Sequence, residues 1–181
     1  MTRIPPIDAT TATGAVAAHL TASKKILGGT PNMILTAAHS PAAMGAMLGM
    51  FSSLSASSLG AKTAEQIALS IAESNRCGYC LSAHHAIGQA VGLTPGEIEG
   101  ARRGAAADPK VDAMLSLAAE INRTRGHVSD ATVAAARLAG VSEVEIVEIV
   151  AHVALNVFTN YFNTVCQTPI DFPVVALAAT G

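Results

Sequence analysis

Apolar residues recur along most of this chain at the three-to-four-residue spacing of an amphipathic helix, and each run opens on a helix-start signal. The pattern predicts an all-α protein. Residues 1–12, interrupted by Pro5 and Pro6, read as an irregular arm. A first helix covers about 13–27 and stops at Gly28-Gly29; a short one follows around 32–39. Ser40-Pro41 supplies an N-cap and a first-turn proline for a helix over about 41–58. Thr63-Ala-Glu-Gln66 resembles a capping box and starts a helix to about Asn75. The next helix, about 77–91, ends at Gly92, and Thr94-Pro-Gly-Glu97 caps another that runs to Arg103. Asp108-Pro109, Ser129 and Ser142-Glu-Val-Glu145 open the last three, which end near Thr124, Ala139 and Val165. Pro169 and Pro173 keep the tail extended over 166–181. No linker or low-complexity segment divides the chain, so residues 1–181 are expected to form one domain.

Composition changes this picture in one respect. Half of the residues are hydrophobic, 13% are charged and 3% are aromatic, so the core is built from Ala, Val, Leu, Ile and Met. So few charges suggest that part of the surface is covered by another copy of the chain. Met44, Met47, Met50 and Phe51 share one predicted helix and are read as adaptable core, with the wall of an apolar pocket as the alternative. The segment from Ile26 to Ala61 contains no Asp, Glu, Lys or Arg, but Gly28-Gly29, Pro31, Pro41 and a run of serines break it up. It is expected to be a buried or interfacial helix and not a membrane span. A net charge of −2 gives no footprint for nucleic acid or anionic membrane. No export signal is visible and three cysteines do not make a secreted framework, so a cytoplasmic protein is expected.

The chemistry gathers in Cys77-Gly-Tyr-Cys80-Leu-Ser-Ala-His84-His85. Cys77 falls at the start of a helix, where unpaired N–H groups and the helix dipole favour a thiolate. Cys80 and His84, four apart, share a helix face. This suits redox chemistry, in which one sulfur attacks, the other closes a disulfide and the histidine moves the proton. A zinc site would find at most three ligands here, with Cys166 the only further thiol. Covalent haem attachment needs histidine directly after the second cysteine, where Leu81 stands. A thioredoxin-like domain would need strands, and a pair of inert buried thiols is the remaining alternative. Glu65 and Glu73 are rival carboxylate partners, and spacing does not choose between them. His85 is turned about 100° from His84 around the helix and is expected to face elsewhere. His152, Asn156, Asn160 and Asn163 form a polar stripe on the last helix, read as satisfied interface amides, with the back of the active site as the alternative.

A glutamate twelve residues before the first cysteine, then C-x-x-C, then a histidine four residues on, resembles the core of the carboxymuconolactone decarboxylase superfamily, in its AhpD-like (alkyl hydroperoxide reductase D-type) branch. Glu65, Cys77, Cys80 and His84 match these positions, and the resemblance covers about residues 60–92. It implies an AhpD-like helical bundle, assembled as a homotrimer or homohexamer, that needs no cofactor and no metal. By the same resemblance Cys80 is the deeper thiolate that attacks a hydroperoxide. Cys77, nearer solvent, is the resolving thiol, and His84 with Glu65 forms the proton relay. The best-studied members carry a histidine immediately before the second cysteine; here Tyr79 stands there, which can hydrogen-bond but does not shuttle protons near neutral pH. Their reductant is a lipoyl domain, so the expected partners are a hydroperoxide and a dithiol reductant such as a lipoylated protein. The expected function is a thiol peroxidase or disulfide oxidoreductase. Its rivals are a lactone decarboxylase, whose known members generally lack the redox pair, and a non-catalytic redox sensor.

Overall fold

A computed structural model describes residues 2–179; the expected arm and tail also include Met1, Thr180 and Gly181, which lie outside the described residues. Among the described residues the ordered elements are α-helices: α1 (Gly14–Leu27), α2 (Asn32–Ala37), α3 (Pro41–Leu54), α4 (Gly60–Ser74), α5 (Gly78–Ala90), α6 (Pro95–Arg102), α7 (Pro109–Thr124), α8 (Asp130–Leu138) and α9 (Glu143–Cys166), with one 3-10 turn at Ala9–Thr11. The caps read from sequence carry most of these starts. Ser40 Oγ accepts from the Ala43 N–H, Asp108 accepts from Lys110 and Val111, and Thr94 and Ser142 form complete capping boxes with Glu97 and Glu145.

Two predicted boundaries are corrected. The box expected at Thr63 is absent, because α4 begins a turn earlier at Gly60 and no side chain caps it. Thr63 and Glu65 therefore lie inside the helix, and Leu59, at its N-cap, is buried in the core. The helix expected over 41–58 stops at Leu54, and Ser55 to Ser58 form a turn whose last residue donates its N–H and Oγ–H to the Glu148 carboxylate.

α4 is the axis of the molecule. Seven consecutive residues from Gln66 to Ala72 are buried, so every side of its middle faces protein. Leu69 and Ala72 join a core built from α1, α2, α3, α5 and α6, while Ile67 and Ile71 join a second core with α7, α8 and the first half of α9. Met44 and Met47 are wholly buried in the first core, as their spacing suggested. α5 reaches α4 and α6 closely at Gly88, where a Cβ would stand 3.1 Å from Leu93 Cδ1. No described helix is long and apolar enough to cross a membrane, in line with the reading of Ile26 to Ala61.

The tail after α9 runs back over the start of α5. The Val175 N–H donates to Ser82 Oγ, the Ala178 N–H donates to Glu73, and the Arg76 and Arg102 guanidinium groups hold the carbonyls of Ala178 and Ala176. Phe172 meets Tyr79 edge-on, with ring centroids 5.8 Å apart.

Candidate active site

The turn between α4 and α5 sets the site. Arg76 adopts φ +57°, the left-handed position that usually goes to glycine, and the Cys77 N–H reaches back to the Ala72 carbonyl at 2.9 Å. This closes α4 and delivers Cys77 as the N-cap of α5, in extended backbone, with its sulfur accepting the Cys80 N–H at 3.3 Å. One turn on, Cys80 brings its Sγ to 2.7 Å from that of Cys77, and both thiols are free. A disulfide, about 2.05 Å long, needs only a small further approach.

The rest of the constellation assembles from three helices. His84, one turn after Cys80, pairs through Nδ1 with the Glu65 carboxylate on α4 at 2.8 Å, both side chains about 15% exposed (15% and 16%). The rival carboxylate, Glu73, is used elsewhere: it binds Arg102 at 2.8 Å and the tail at Ala178. From α9, the Asn163 Nδ2–H donates to Cys80 Sγ at 3.3 Å. The polar stripe of α9 is buried within the chain and meets the thiols at Asn163, which fits the back of the active site and not the interface amides first expected. His152, Asn156, Asn160 and Asn163 are all buried; Asn160 accepts from Asn75, and His152 Nε2 lies 3.0 Å from Ser57 Oγ. His85 and Cys166 take no part in this cluster. The chain shows no group of three or more metal-ligating side chains among the described residues.

A cavity of about 720 Å³ opens onto this cluster. Ile26, Phe51, Leu54, Ile87, Leu155 and Phe172 give it apolar walls, and Glu65, Tyr79, Cys80, His84, His152 and Asn163 form its polar floor. Phe51 thus belongs to the pocket wall, unlike Met44, Met47 and Met50 on the same helix. Cys77 does not line the cavity, and it is as buried as Cys80, each being 2% exposed. Exposure therefore does not separate the two thiols: the N-cap position turns the Cys77 sulfur toward the α5 backbone, and Cys80 is the one that lines the cavity.

The two thiols differ in acidity as well. The hydrogen bond from Cys80 lowers Cys77 to about 7, against the cost of burial, with the Cys80 N–H and His84 adding to the shift. Burial pushes Cys80 well above the ordinary range and the Cys77 charge adds to this, although the amides of Asn163 and Asn160 pull the other way. Burial opposes protonation of His84, but the charge and hydrogen bond of Glu65, with Cys77, outweigh it and leave His84 more basic than usual. Burial keeps the Tyr79 phenol protonated; its oxygen accepts the Met33 N–H and it lies beside Asp171. In the place where the best-studied AhpD-like proteins carry a histidine, this chain has a hydrogen-bonding wall. The first proton lost from the pair leaves a shared thiolate, with the deprotonated sulfur a hydrogen bond away from the one that faces the cavity.

Residues 41–122, from α3 through most of α7, match the carboxymuconolactone decarboxylase family, and that span contains Glu65, Cys77, Cys80 and His84. Over these residues the chain is similar to that family. No curated protein sequence matches the chain significantly. Among solved structures, an uncharacterised peroxidase-related protein with an alkylhydroperoxidase AhpD core, from Ralstonia eutropha, is 22% identical and superposes with a TM-score of 0.83, covering 94% of this chain and 92% of that one. The debrominase Bmp8 is also 22% identical, with a TM-score of 0.79 and coverage of 93% and 91%. A Bmp8 variant in complex with 2,3,4-tribromopyrrole gives a TM-score of 0.80 at 21% identity, covering 94% of this chain and 92% of that one. At these identities the likeness establishes the AhpD-like helical fold. The sequence reading held the contact between α9 and the thiols only as the alternative for the polar stripe. The helical spacing of the asparagines was its only trace.

Proposed function

We propose that this protein is a dithiol peroxidase that reduces a hydroperoxide at Cys80 and resolves through Cys77. The observation that carries the reading is the pair of free thiols 2.7 Å apart at the foot of an apolar cavity, with an imidazole–carboxylate pair one turn away. Cys77 supplies the acidity and Cys80 supplies the access. Moving the shared proton to Cys77 leaves a Cys80 thiolate, and a thiolate of higher pKa is intrinsically the stronger nucleophile. That thiolate attacks the terminal peroxide oxygen. An S–O bond forms, the O–O bond breaks, and the departing alkoxide takes a proton from His84, which Glu65 keeps basic. Cys77 then attacks the Cys80 sulfenic acid, forming the disulfide and releasing water. A dithiol reductant, for which a lipoylated protein is the candidate, restores both thiols by exchange.

The deciding experiment measures hydroperoxide consumption with several dithiol donors, a lipoylated domain among them. Cys80→Ser is expected to abolish the first oxidation, and Cys77→Ser to permit it once and leave a trappable sulfenic acid. If Cys77→Ser alone loses the peroxide step, the sulfurs have the opposite roles; if neither variant affects consumption, the peroxidase reading fails. The likeness to a debrominase favours one second reading, reductive removal of bromide from an aromatic ring by the same dithiol. Bromide release from a bromopyrrole without peroxide turnover would select it.

A further inference from the structure

Asn163 is 3% exposed, lines the cavity and donates through Nδ2 to Cys80 Sγ at 3.3 Å, but its Oδ1 has no hydrogen-bond partner. A buried acceptor without a donor is costly and needs a reason. Three other buried polar atoms share this condition among the described residues: Thr36 Oγ1, Asn160 Nδ2 and Thr168 Oγ1. None of those residues lines the cavity. The unpartnered oxygen of Asn163 therefore sits on a residue that already touches the sulfur facing the open space.

We infer that Asn163 is a catalytic residue that holds both reactants through one amide, its Nδ2–H donating to the Cys80 sulfur and its Oδ1 accepting the O–H of the incoming hydroperoxide. This rests on the peroxidase reading above. A hydroperoxide carries its proton on the terminal oxygen, the atom the sulfur must attack. A hydrogen bond from that O–H to Oδ1 sets the terminal oxygen beside Sγ and leaves the alkyl group to the apolar wall of Phe51, Leu54 and Leu155. On attack the Sγ–O bond forms and the O–O bond breaks, so that sulfur loses two electrons and the peroxide gains them. The alkoxide leaves with a proton from His84. The sulfenic acid keeps the hydroxyl that Oδ1 was already holding, which fixes the S–O bond until the Cys77 sulfur displaces it as water. The donating half of the amide favours the charged form of a thiol that burial otherwise keeps neutral.

The test uses full-length protein carrying Cys77→Ser and Cys166→Ser, so that Cys80 is the one thiol left. Two rates are followed across pH, alkylation of Cys80 by iodoacetamide and oxidation of Cys80 by cumene hydroperoxide. Adding Asn163→Ala should make Cys80 less acidic by about tenfold or more, a typical size for a lost hydrogen bond to a charged group. It should slow peroxide oxidation by roughly a further tenfold beyond the loss of thiolate. Asn163→Asp is nearly isosteric and covers the case in which the alanine variant does not fold; it keeps an acceptor, loses the donor and should also make Cys80 less acidic. An unchanged alkylation profile in the variants would overturn the contact with sulfur. A peroxide rate that falls only in step with the thiolate would overturn the role of Oδ1. Failure of the parent protein to react with any hydroperoxide would sink the peroxidase reading and the substrate contact together, while the alkylation profile would still judge the amide–thiolate bond.

Discussion

Cys77 should lose its proton near neutrality, and the neighbouring sulfur should be the reason. The structure puts its pKa at about 7, with the hydrogen bond from Cys80 as the leading cause. A free cysteine titrates near 8.5 and is only about 3% thiolate at pH 7, so half-ionisation there is a gain of roughly fifteenfold. The assay is thiolate ultraviolet absorbance from about pH 5 to pH 10, on protein carrying Cys166→Ser so that only the pair contributes. One equivalent of thiolate should appear around pH 7, rising with pH because deprotonation creates the absorbing form. The second should appear only far above it, because burial and the first charge oppose it. Cys80→Ala removes the sulfur partner 2.7 Å from Cys77 and should shift the remaining Cys77 transition upward. A wild-type pair whose first step lies at 8.5 or above would refute this account. So would a Cys77 transition that Cys80→Ala leaves in place.

Two further outcomes are expected. Glu65→Gln keeps the shape of the His84 partner but removes its charge, so thiol oxidation by hydroperoxide should slow, within the ~10²–10⁴-fold span typical of positioned proton transfer, and the basic limb of its pH profile should move down as His84 becomes less basic. Light scattering should give a mass above the 18.3 kDa of one chain at micromolar concentration, since Val144, Val147, Tyr161 and Val165 are exposed on α9; a value of one chain mass would remove the proposed assembly.

What sequence made legible was local. Ser40-Pro41, Thr94 to Glu97, Asp108-Pro109 and Ser142 to Glu145 announce their helices, because a cap is a contact between residues two or three apart. The Cys77–Cys80 pair and the spacing to His84 were equally readable, since one helical turn fixes them. The assignment of Glu65 and not Glu73 to His84 came from family resemblance, and its physical basis is long-range: Arg102 and the tail occupy Glu73. Asn163 stands 83 residues from Cys80, and no spacing rule connects them. The capping box at Thr63 failed for the opposite reason, because burial of Leu59 and the packing of α4 on four neighbours start that helix earlier than its polar residues indicate.

The return of the tail over α5 also puts the parts of the site in a temporal order. A ribosome adding about 5–20 residues per second makes Cys77 and Cys80 several seconds before it makes Asn163, Asp171 and Phe172. Throughout that interval the two thiols exist without the amide, the aromatic edge and the backbone contacts that later enclose them. A nascent chain stalled before α9 would present an ordinary pair of cysteines, open to oxidants and to wrong partners. In the finished one, Cys80 faces the cavity and the pair is otherwise enclosed among buried neighbours. Oxidants present during synthesis would therefore meet the thiol pair before its enclosure is built.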